Sequence, residues 1–509
     1  MKFGLTTEEI SLIHNVFAKH TQITRAFIYG SRATNTFTRT SDIDLAIELA
    51  PNHKNITSTI KDQLNDLHII YSIDLINHNL ITDESLYKEY QRTKKIFYIK
   101  GWKTTTLGAV ANKVHSGGTP STSNKKYYIE GDIPWLRTQE VNFNYIYSTD
   151  IKITNEALAN SSAKWVPKNS VIIAMYGESA GRVALTKINL TTNQACCNFI
   201  LDIDRSNYHF IYFNLLSRYS EIKNMATGAA QQNLNQLLLT NLSLSLPPLG
   251  EQNAIAAVLS SLDDKIELLR EQSKTLEAIA QTIFKEWFVK FNYPGATGRM
   301  VDSELGKIPK GWKIGKIKYD IKTILGGTPS RANNLFWDTG SIPWINSGAI
   351  NNFPIMRASE YITEDGLKNS AAKLMPAKTV VLPFVITRGS EIKVSFLGIE
   401  SSGNQSVLGL LETEKFSCGY IYFWIQQMKN KLYSCATGGA QQHINKQEVE
   451  NLELLIPTHK VLESFNVLSY PVFEKIIENS FQIQTLSTFR DSLLPKLMSG
   501  EVRIKGFGN

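Results

Sequence analysis

Residues 253–290 read NAIAAVLSSLDDKIELLREQSKTLEAIAQTIFKEWFVK. Apolar residues recur here at alternating steps of four and three, which predicts a long helix with one narrow buried stripe. The stripe comprises Ile255, Leu259, Leu262, Ile266, Leu269, Leu276, Ile283 and Trp287, with Ser273 and Ala280 at the two intervening positions. The same register returns 210 residues later at Phe465, Val472, Ile476, Ile483, Leu486, Leu493 and Leu497. Two matching stripes in one chain predict that the two helices pair with each other.

The composition is that of an ordinary globular protein, with 42% hydrophobic and 20% charged residues. A chain of 509 residues is too long for one hydrophobic core, so several domains are expected. The net charge of +8 favours a polyanionic partner such as nucleic acid. The four cysteines lack metal-ligand spacing and favour a reduced interior. Because no leader and no membrane-length apolar run is present, we expect a soluble, cytoplasmic protein with no membrane partner.

A cluster of acidic residues follows a Gly-Ser turn in residues 1–100. Gly30 and Ser31 end a predicted strand, and Asp42 and Asp44 come at the start of the next. Residues two apart on a strand point to the same side, so these two carboxylates can converge on one ion, and Asp74 on a second apolar run could join them. Nucleotidyl transfer needs such an arrangement, because metal ions bridge the acids to a triphosphate whose oxygens are held by turn amides and hydroxyls.

This pattern resembles the minimal nucleotidyltransferases of the polymerase-beta-like superfamily over residues 3–100. The resemblance implies that Asp42, Asp44 and Asp74 hold Mg²⁺, and that Gly30 and Ser31 bind a nucleoside triphosphate. It also implies a catalytic role for Asp74, which would accept the proton of the attacking hydroxyl.

Other interpretations of this segment stay open. The aspartates could only cap or edge strands, or the fold could be correct while its activity is vestigial or regulatory. Arg32 and Arg39 could contact phosphate or could be solvated.

Residues 101–509 contain one sequence unit twice, at an offset of 209 or 210 residues. The recurring segments are GWK (101–103, 311–313), GGTP (117–120, 326–329), IPW (133–135, 342–344), NSSAK or NSAAK (160–164, 369–373) and ATGAAQQ or ATGGAQQ (226–232, 436–442). Each copy predicts a mixed α/β globule followed by a long helix. The two copies differ in two places, where residues 137–139 correspond to 345–347 and where residues 176–179 correspond to 387–390. This divergence favours two globules that recognise different sequences.

The tandem arrangement resembles the specificity subunit of type I restriction–modification systems over about residues 101–505. Beside the paired segments, LPPLGEQ at 246–252 and KLMSGE at 496–501 carry the resemblance. It implies that each globule is a target-recognition domain reading one half of a bipartite site in double-stranded DNA. It further implies an antiparallel coiled coil that spaces the globules and docks two modification subunits, which bring S-adenosylmethionine. ATP-dependent restriction subunits could join that complex.

The predicted fold is therefore multidomain α/β. The segments are a nucleotidyltransferase-like domain (1–100), a first recognition domain (101–248), a first spacer helix (249–292), a linker (293–313), a second recognition domain (314–457), and a second spacer helix with the carboxy-terminal tail (458–509). The second stripe is less regular, because Asn479 occupies the position of Leu269 and Pro471 is expected to interrupt the start of that helix. A polar residue in such a stripe can fix the pairing register.

Candidate DNA contacts are loop residues with long polar side chains. They are Arg137, Arg182, Gln231, Gln232, Arg331, Arg388, Gln441 and Gln442. The glutamines occur in both copies, which favours a role in the shared frame or in phosphate contact over selection of a half-site sequence. The arginines could instead be solvated or paired with acidic residues. Tryptophans at 102, 135, 312 and 344 are predicted to be core residues.

The sequence lacks a P-loop ending in Gly-Lys-Ser/Thr and an Asn/Asp-Pro-Pro-aromatic methyltransferase motif. Recognition is therefore expected in this chain, and methylation or cleavage in its partners. The alternative is an enzyme: a nucleotidyltransferase, antitoxin-like, that transfers a nucleotide to protein or RNA and uses the tandem region as a targeting scaffold.

Overall fold

A computed structural model of the chain describes residues 3–507, except 51, 52, 54, 228–232, 388–390, 437, 439 and 440. The chain divides into two compact units. The first unit comprises Met1–Leu262 and Phe489–Asn509, and the second comprises Asp263–Thr488. Each of the two long helices contributes residues to both units.

The amino-terminal part of the first unit is a four-stranded sheet with helices on it. Its elements are α1 (Thr7–Lys19), β1 (Ile23–Ile28), α2 (Gly30–Thr34), β2 (Ile43–Leu49), α3 (Thr57–Asn65), β3 (Ile73–Asn77), α4 (Glu84–Thr93) and β4 (Lys95–Ile99). The strand order is β3-β2-β1-β4, with β2 and β3 parallel and the other pairs antiparallel. Thr6 begins α1 through a reciprocal capping box with Glu9, which satisfies donors that the first helical turn leaves unpaired.

The first globule follows, also in the first unit. Its elements are β5 (Lys103–Thr106), β6 (Ala111–Ser116), β7 (Ile133–Leu136), β8 (Asn144–Ile146), β9 (Ile151–Ile153), α5 (Asn155–Ala159), β10 (Trp165–Val166), β11 (Val171–Ala174), β12 (Val183–Thr186), β13 (Leu190–Thr192), β14 (Cys196–Leu201), α6 (Tyr208–Ser217), α7 (Tyr219–Thr227), α8 (Gln236–Thr240) and β15 (Ser243–Leu246). One sheet has the order β6-β14-β11-β12-β8 and another β10-β13-β7-β9. The first long helix, α9 (Leu249–Phe288), comes next.

The second globule lies in the second unit and repeats this plan after a short hairpin of β16 (Met300–Ser303) and β17 (Gly306–Pro309). Its elements are β18 (Lys313–Lys316), α10 (Ile317–Asp320), β19 (Thr323–Leu325), β20 (Ile342–Ile345), β21 (Glu360–Ile362), α11 (Glu364–Lys368), β22 (Leu374–Met375), β23 (Val380–Pro383), β24 (Val385–Thr387), β25 (Ser395–Phe396), β26 (Ser401–Gly403), β27 (Val407–Leu410), α12 (Cys418–Gln427), α13 (Lys429–Cys435), β28 (Gln441–His443), α14 (Lys446–Glu450) and β29 (Glu453–Ile456). The sheets have the orders β19-β27-β23-β25 and β21-β20-β26-β22, with β24 and β28 forming a separate pair. The second long helix is α15 (His459–Ser499).

A pair of antiparallel strands closes each globule. The strand that enters the first globule, β5, pairs with β15, which leaves it. In the second globule β18 pairs with β29 in the same way. Each long helix therefore starts directly from a strand that is tied to the beginning of its own globule.

The two long helices run antiparallel where they meet in the second unit. The Phe284 ring lies 6.0 Å from that of Phe465, and further along the pair Asn479 Nδ2 donates hydrogen bonds to Gln272 Oε1 at 3.0 Å and Ser273 Oγ at 3.2 Å. Residue numbers thus rise on one helix as they fall on the other. In the first unit, α9 and α15 residues share one apolar cluster: Ile255, Ala256, Leu259, Leu494, Leu497 and Met498.

The predicted stripes differ from the structure in several details, and on α15 the buried residues include Phe473 and Leu494, next to the predicted Val472 and Leu493, which are half-buried. Helix α15 continues through Pro471, so the prediction that this proline interrupts its start is wrong. Near the end of α9 the buried residues are Phe284 and Phe288, whereas the predicted Ile283 and Trp287 are half-buried. The second globule causes this shift, because Phe284 and Phe288 also face the Tyr420 ring of α12.

The predicted core tryptophans are buried, at 3–6% exposure. All four cysteines are free thiols. In the part of the chain that the structure describes, none of the helices combines the length and the apolar character of a membrane span.

Candidate functional site

One end of the first globule collects loops that are far apart in sequence. We call this end the first rim, and it comprises residues 117–120, 137–140, 175–182 and 192–195. Backbone hydrogen bonds join these loops: Gly117 N to Cys196 O, Gly118 N to Thr192 O, Asn193 N to Leu136 O, Met175 N to Ala195 O, and Leu234 N to Met175 O. The divergent hairpin loop after β11 therefore lies beside the repeated Gly-Gly-Thr-Pro turn.

The second globule builds an equivalent second rim from residues 326–329, 346–348, 384–387 and 403–406. The matching bonds are Gly326 N to Val407 O, Gly327 N to Gly403 O, Asn404 N to Ile345 O, Phe384 N to Ser406 O, and Ile444 N to Phe384 O. Each globule thus has the same frame carrying different loops, which is the arrangement expected of two readers of different sequences.

The Gly-Gly-Thr-Pro turns are built into the backbone frame. A Cβ atom on Gly118 would lie 2.3 Å from the Ser162 carbonyl carbon, and one on Gly327 would lie 2.3 Å from that of Ala371. Only glycine allows this close approach of two chain segments. Trp135 Nε1 and Trp344 Nε1 donate to the carbonyl oxygens of these same two glycines, at 3.0 and 3.1 Å. The repeated Ile-Pro-Trp segments therefore hold the turns in place.

The candidate arginines of the first globule are held by acidic neighbours. Arg137 Nη2 donates to Asp150 Oδ2 at 3.1 Å, and its Nε lies 3.5 Å from Glu140 Oε1. Arg182 Nη2 lies 3.6 Å from the almost fully exposed carboxylate of Glu178. The carboxylates of Asp150 and Glu178 are exposed, and surface ion pairs of this kind contribute little to stability.

Arg331 is the most firmly held of the candidate arginines. Its guanidinium donates to both carboxylate oxygens of Glu360, at 2.5 and 2.9 Å, and lies over the Trp337 ring at 3.7 Å from the ring centroid. The hydrogen bond from Arg331 lowers the pKa of the Glu360 carboxyl. This geometry uses the planar fork of arginine for the fold itself.

The remaining predicted contacts are placed only in part. Gln231, Gln232 and Arg388 lie outside the described residues. Gln441 and Gln442 lie on β28, opposite Thr387 and Ile386 of β24. Gln442 is half-buried.

The acidic cluster of the amino-terminal domain is formed by neighbouring strands. Asp44 and Asp74 are opposite each other on the parallel strands β2 and β3, and Asp42 precedes β2. Gly30, with φ of +70°, packs so closely that a Cβ atom there would lie 2.9 Å from Asp44 Oδ2. Burial, followed by the charges of Asp74 and Asp42, raises the pKa of Asp44. Ser31 is half-buried on the short helix α2.

One of the three aspartates is paired with a lysine. Lys61 Nζ lies 2.6 Å from Asp74 Oδ1 in a half-exposed ion pair. Across the described part of the chain, no group of three or more His, Cys, Asp or Glu side chains is arranged to hold a metal ion. A Mg²⁺ site formed by Asp42, Asp44 and Asp74 stays a prediction.

Arg32 is neither a phosphate ligand nor solvated. Its side chain is 1% exposed and donates to the carbonyl oxygens of Ser41, Asp42 and Phe3. It also lies 4.0 Å from the Tyr71 ring centroid. Arg32 therefore supports the chain just before β2 from inside the domain, whereas Arg39 is exposed.

The sequence reasoning missed one pair of rim residues. Gln194 and Gln405 are exposed, and each accepts a hydrogen bond from the threonine of its Gly-Gly-Thr-Pro turn, Thr119 or Thr328. The signal was present as Asn-Gln at 193–194 and 404–405, an offset of 211 residues that differs from the offset of the longer repeats.

Residues 99–278 and 309–461 match the family model of the type I restriction modification DNA specificity domain. Residues 12–101 match that of polymerase beta, nucleotidyltransferase. The chain is 29% identical to the type I restriction enzyme MjaIX specificity subunit of Methanocaldococcus jannaschii, over 80% of this chain and 94% of that protein. It is 22% identical to the HindI specificity subunit of Haemophilus influenzae, over 79% and 99%.

Among solved structures, the crystal structure of the type I restriction–modification S subunit from M. genitalium is similar to this chain. That similarity has a TM-score of 0.48 at 14% identity and covers 78% of this chain and 96% of that one.

Proposed function

Because the chain belongs to the type I restriction–modification DNA specificity family, we propose that it reads a bipartite site in double-stranded DNA, one half with each rim. The chain is the specificity subunit of such a system, which implies DNA and a modification subunit as its partners. The observation that supports two half-sites is the repeated frame with divergent loops. Two different readers on one frame are expected to select two different half-sequences.

Selection of binding sites from random DNA tests this proposal. The chain, reconstituted with its modification subunits and S-adenosylmethionine, is expected to recover two short sequences separated by a fixed spacer. Tyr176, 42% exposed in the first rim, is expected to matter to one half only, so Tyr176→Ala should change that half and leave the other. Tyr319→Ala, in the second globule on α10 beside the closing strand β18, serves as the control. An unpatterned or single-block pool would contradict the proposal.

Docking of two modification subunits on the long helices is supported by exposed apolar side chains of α9. Leu268 and Ile279 of α9 are 61% and 50% exposed. A shallow groove of ≈480 Å³ lies beside Ile279. Its lining residues are Glu271, Lys274, Thr275, Ala278, Ile279, Thr282 and Ile283. An exposed apolar side chain beside a groove is a candidate contact for a partner protein.

Co-elution of the complex tests this docking face. Ile279→Glu should weaken association with the modification subunit, because a carboxylate would lose its water in the interface. Leu335→Glu, at a residue that is 73% exposed in the second globule, should not. Equal association of both variants would contradict the docking site. Addition of ATP-dependent restriction subunits should leave the selected sequence unchanged, since recognition is carried by this chain.

Nucleotidyl transfer by the amino-terminal domain is a second candidate function. It is favoured by the family match of residues 12–101 and by the place of Asp44, where burial, followed by the charges of Asp74 and Asp42, raises the pKa of its carboxyl. Incubation with labelled ATP, Mg²⁺ and the partner subunits or RNA should transfer label, and Asp42→Ala with Asp44→Ala should abolish the transfer. The pairing of Lys61 with Asp74 predicts more transfer in Lys61→Ala. Absence of label on protein and RNA in every variant would contradict this function.

A further inference from the structure

A threonine–glutamine pair occurs at the same place in both rims. Thr119 Oγ1 donates a hydrogen bond to Gln194 Oε1, and Thr328 Oγ1 donates one to Gln405 Oε1. The partners are 75 and 77 residues apart in sequence. Their meeting is therefore a product of the fold, and the fold produces it twice.

The geometry presents an amide donor to solvent. In each pair the glutamine oxygen is engaged by the threonine hydroxyl, which leaves the two N–H donors of the amide nitrogen for another acceptor. Both glutamines are exposed, although each is tied to a turn. A side chain whose orientation is fixed before binding loses less entropy when it makes a contact.

The turns that carry the threonines are rigid. Gly118 N and Gly327 N donate to the carbonyl oxygens of Thr192 and Gly403, both at 2.8 Å. The loops that carry Gln194 and Gln405 are therefore joined to the turns by backbone hydrogen bonds as well as by side-chain hydrogen bonds. Thr119 and Thr328 thus stand at fixed positions relative to the glutamines they orient.

We propose that Gln194 and Gln405 are matched backbone contacts, each donating a hydrogen bond to a DNA phosphate oxygen in its own half-site. This inference rests on the proposed function. Phosphate is favoured over a base edge because the pair is identical in two rims whose hairpin loops differ. Contacts that are common to readers of different sequences position the protein, whereas contacts to bases specify the sequence. Thr119 and Thr328 act as positioning residues.

Binding of the reconstituted complex to its selected DNA and to unrelated DNA tests this assignment. Gln194→Ala and Gln405→Ala should each weaken binding to both DNAs by about tenfold, the value of one hydrogen bond to a charged group. The selected sequence should stay the same. Because the two glutamines share no partner, the losses should multiply in the double variant.

A variant that introduces a negative charge separates phosphate contact from a purely structural role. Gln194→Glu keeps an acceptor for the Thr119 hydroxyl but places a carboxylate beside the phosphate. Its loss of affinity should exceed that of Gln194→Ala and should shrink as the salt concentration rises, since salt screens the repulsion. Gln447→Glu on α14, an exposed glutamine outside the rim, provides the matched control. Thr119→Val should lose less affinity than Gln194→Ala, with no change in the selected sequence.

Two results would overturn the inference. A changed base preference in one half-site, with affinity for unrelated DNA retained, would mean that the glutamine reads a base. A lowered melting temperature with unchanged DNA affinity would mean that the Thr–Gln pair only joins two loops. If the unmodified complex itself selected no DNA sequence, the proposed function would fail first, and that outcome is distinct from failure of the glutamine variants alone.

Discussion

A buried ion pair in the first unit fastens the carboxy-terminal tail, and its removal is predicted to release that tail. The side chain of Glu251, at the start of α9, is fully buried. Arg503 donates to it through Nε at 2.8 Å and Nη2 at 2.7 Å, and Trp102 Nε1 donates at 3.0 Å. Three charge-assisted hydrogen bonds therefore satisfy one buried carboxylate.

At the corresponding positions of the second globule, the packed side chains are uncharged. At the offset of 210 residues, Trp102 corresponds to Trp312, Glu251 to Val461 and Arg503 to Tyr293. The Tyr293 ring lies 5.0 Å from that of Trp312, and Val461 belongs to the same apolar cluster. The chain itself thus supplies a neutral replacement for the ion pair.

The perturbation is a double-mutant cycle that imports this neutral pair into the first unit. Arg503→Tyr leaves the buried Glu251 carboxylate with only the Trp102 bond, which should cost about 3–5 kcal/mol. Glu251→Val leaves the partly exposed Arg503 guanidinium to water and should cost about 2 kcal/mol. The double variant should come within about 1 kcal/mol of the parent, because replacing a whole buried ion pair by apolar side chains is often neutral.

Hydrogen exchange of the tail is the assay, because a chain of two units need not unfold in one transition. The amides of Gly500 and Val502 donate to Leu497 O and Lys496 O, so their exchange reports local opening. Exchange should accelerate in Arg503→Tyr and return towards the parent rate in the double variant. Lys505→Ala, at an exposed tail residue, is the control. Unchanged exchange in Arg503→Tyr, or a double variant as open as that single variant, would refute the reasoning.

Three further predictions concern the helix pair and pH. Asn479→Leu should raise the melting temperature but allow the two helices to pair in more than one register, because the fully buried Asn479 amide donates a hydrogen bond to Ser273. Disulfide cross-linking at engineered positions along the two helices reports the register. Phe465→Ala should cost about 3–5 kcal/mol in urea unfolding of the second unit, since this fully buried ring packs against α9, and an unchanged midpoint would contradict it. Burial, then the Lys187 charge, lowers the pKa of His209 from 6.5 to about 4, so the folded protein keeps this imidazole neutral while the unfolded chain protonates it. Stability should therefore fall as pH drops from 6.5 to 4, and His209→Gln should flatten that slope in unfolding measured across the range.

The long helices and the two globules were predictable because their signals are local or repeated. The heptad spacing of apolar residues is visible within each helix sequence, so it predicts the helix directly. The matching segments in the two halves of the chain indicated that one fold occurs twice. The stripe failed near Phe284 and Phe288, where α12 covers α9 from a second side. A one-dimensional pattern of two helices contains no information about a third packing partner.

The candidate contacts were harder to predict because their environment is made by the fold. Nothing near Arg331 in the sequence indicates that Glu360 and Trp337 will hold it, nor that Lys61 will meet Asp74. Residue type suggested which side chains bind anions, but the pairing that occupies them depends on strands brought together from distant segments. The pairing of Gln194 with Thr119 arose in the same way.

The closing strand pairs separate what a globule reads from how it is held. In each globule the first and last strands are hydrogen-bonded to each other, β5 with β15 and β18 with β29, so the interior begins and ends at one place. The loops of each rim are joined by bonds within their own globule. Beside the closing strands, the first globule has the ion pair of Glu251 and Arg503, whereas the second has apolar side chains at the corresponding positions. The segment after α15, which carries Arg503, and the segment after α9, which carries Tyr293, are therefore not interchangeable. A change of rim loops therefore alters neither the closing strands nor the contacts beside them. One half-site should be able to change while the other half-site and the attachment of the carboxy-terminal tail stay the same.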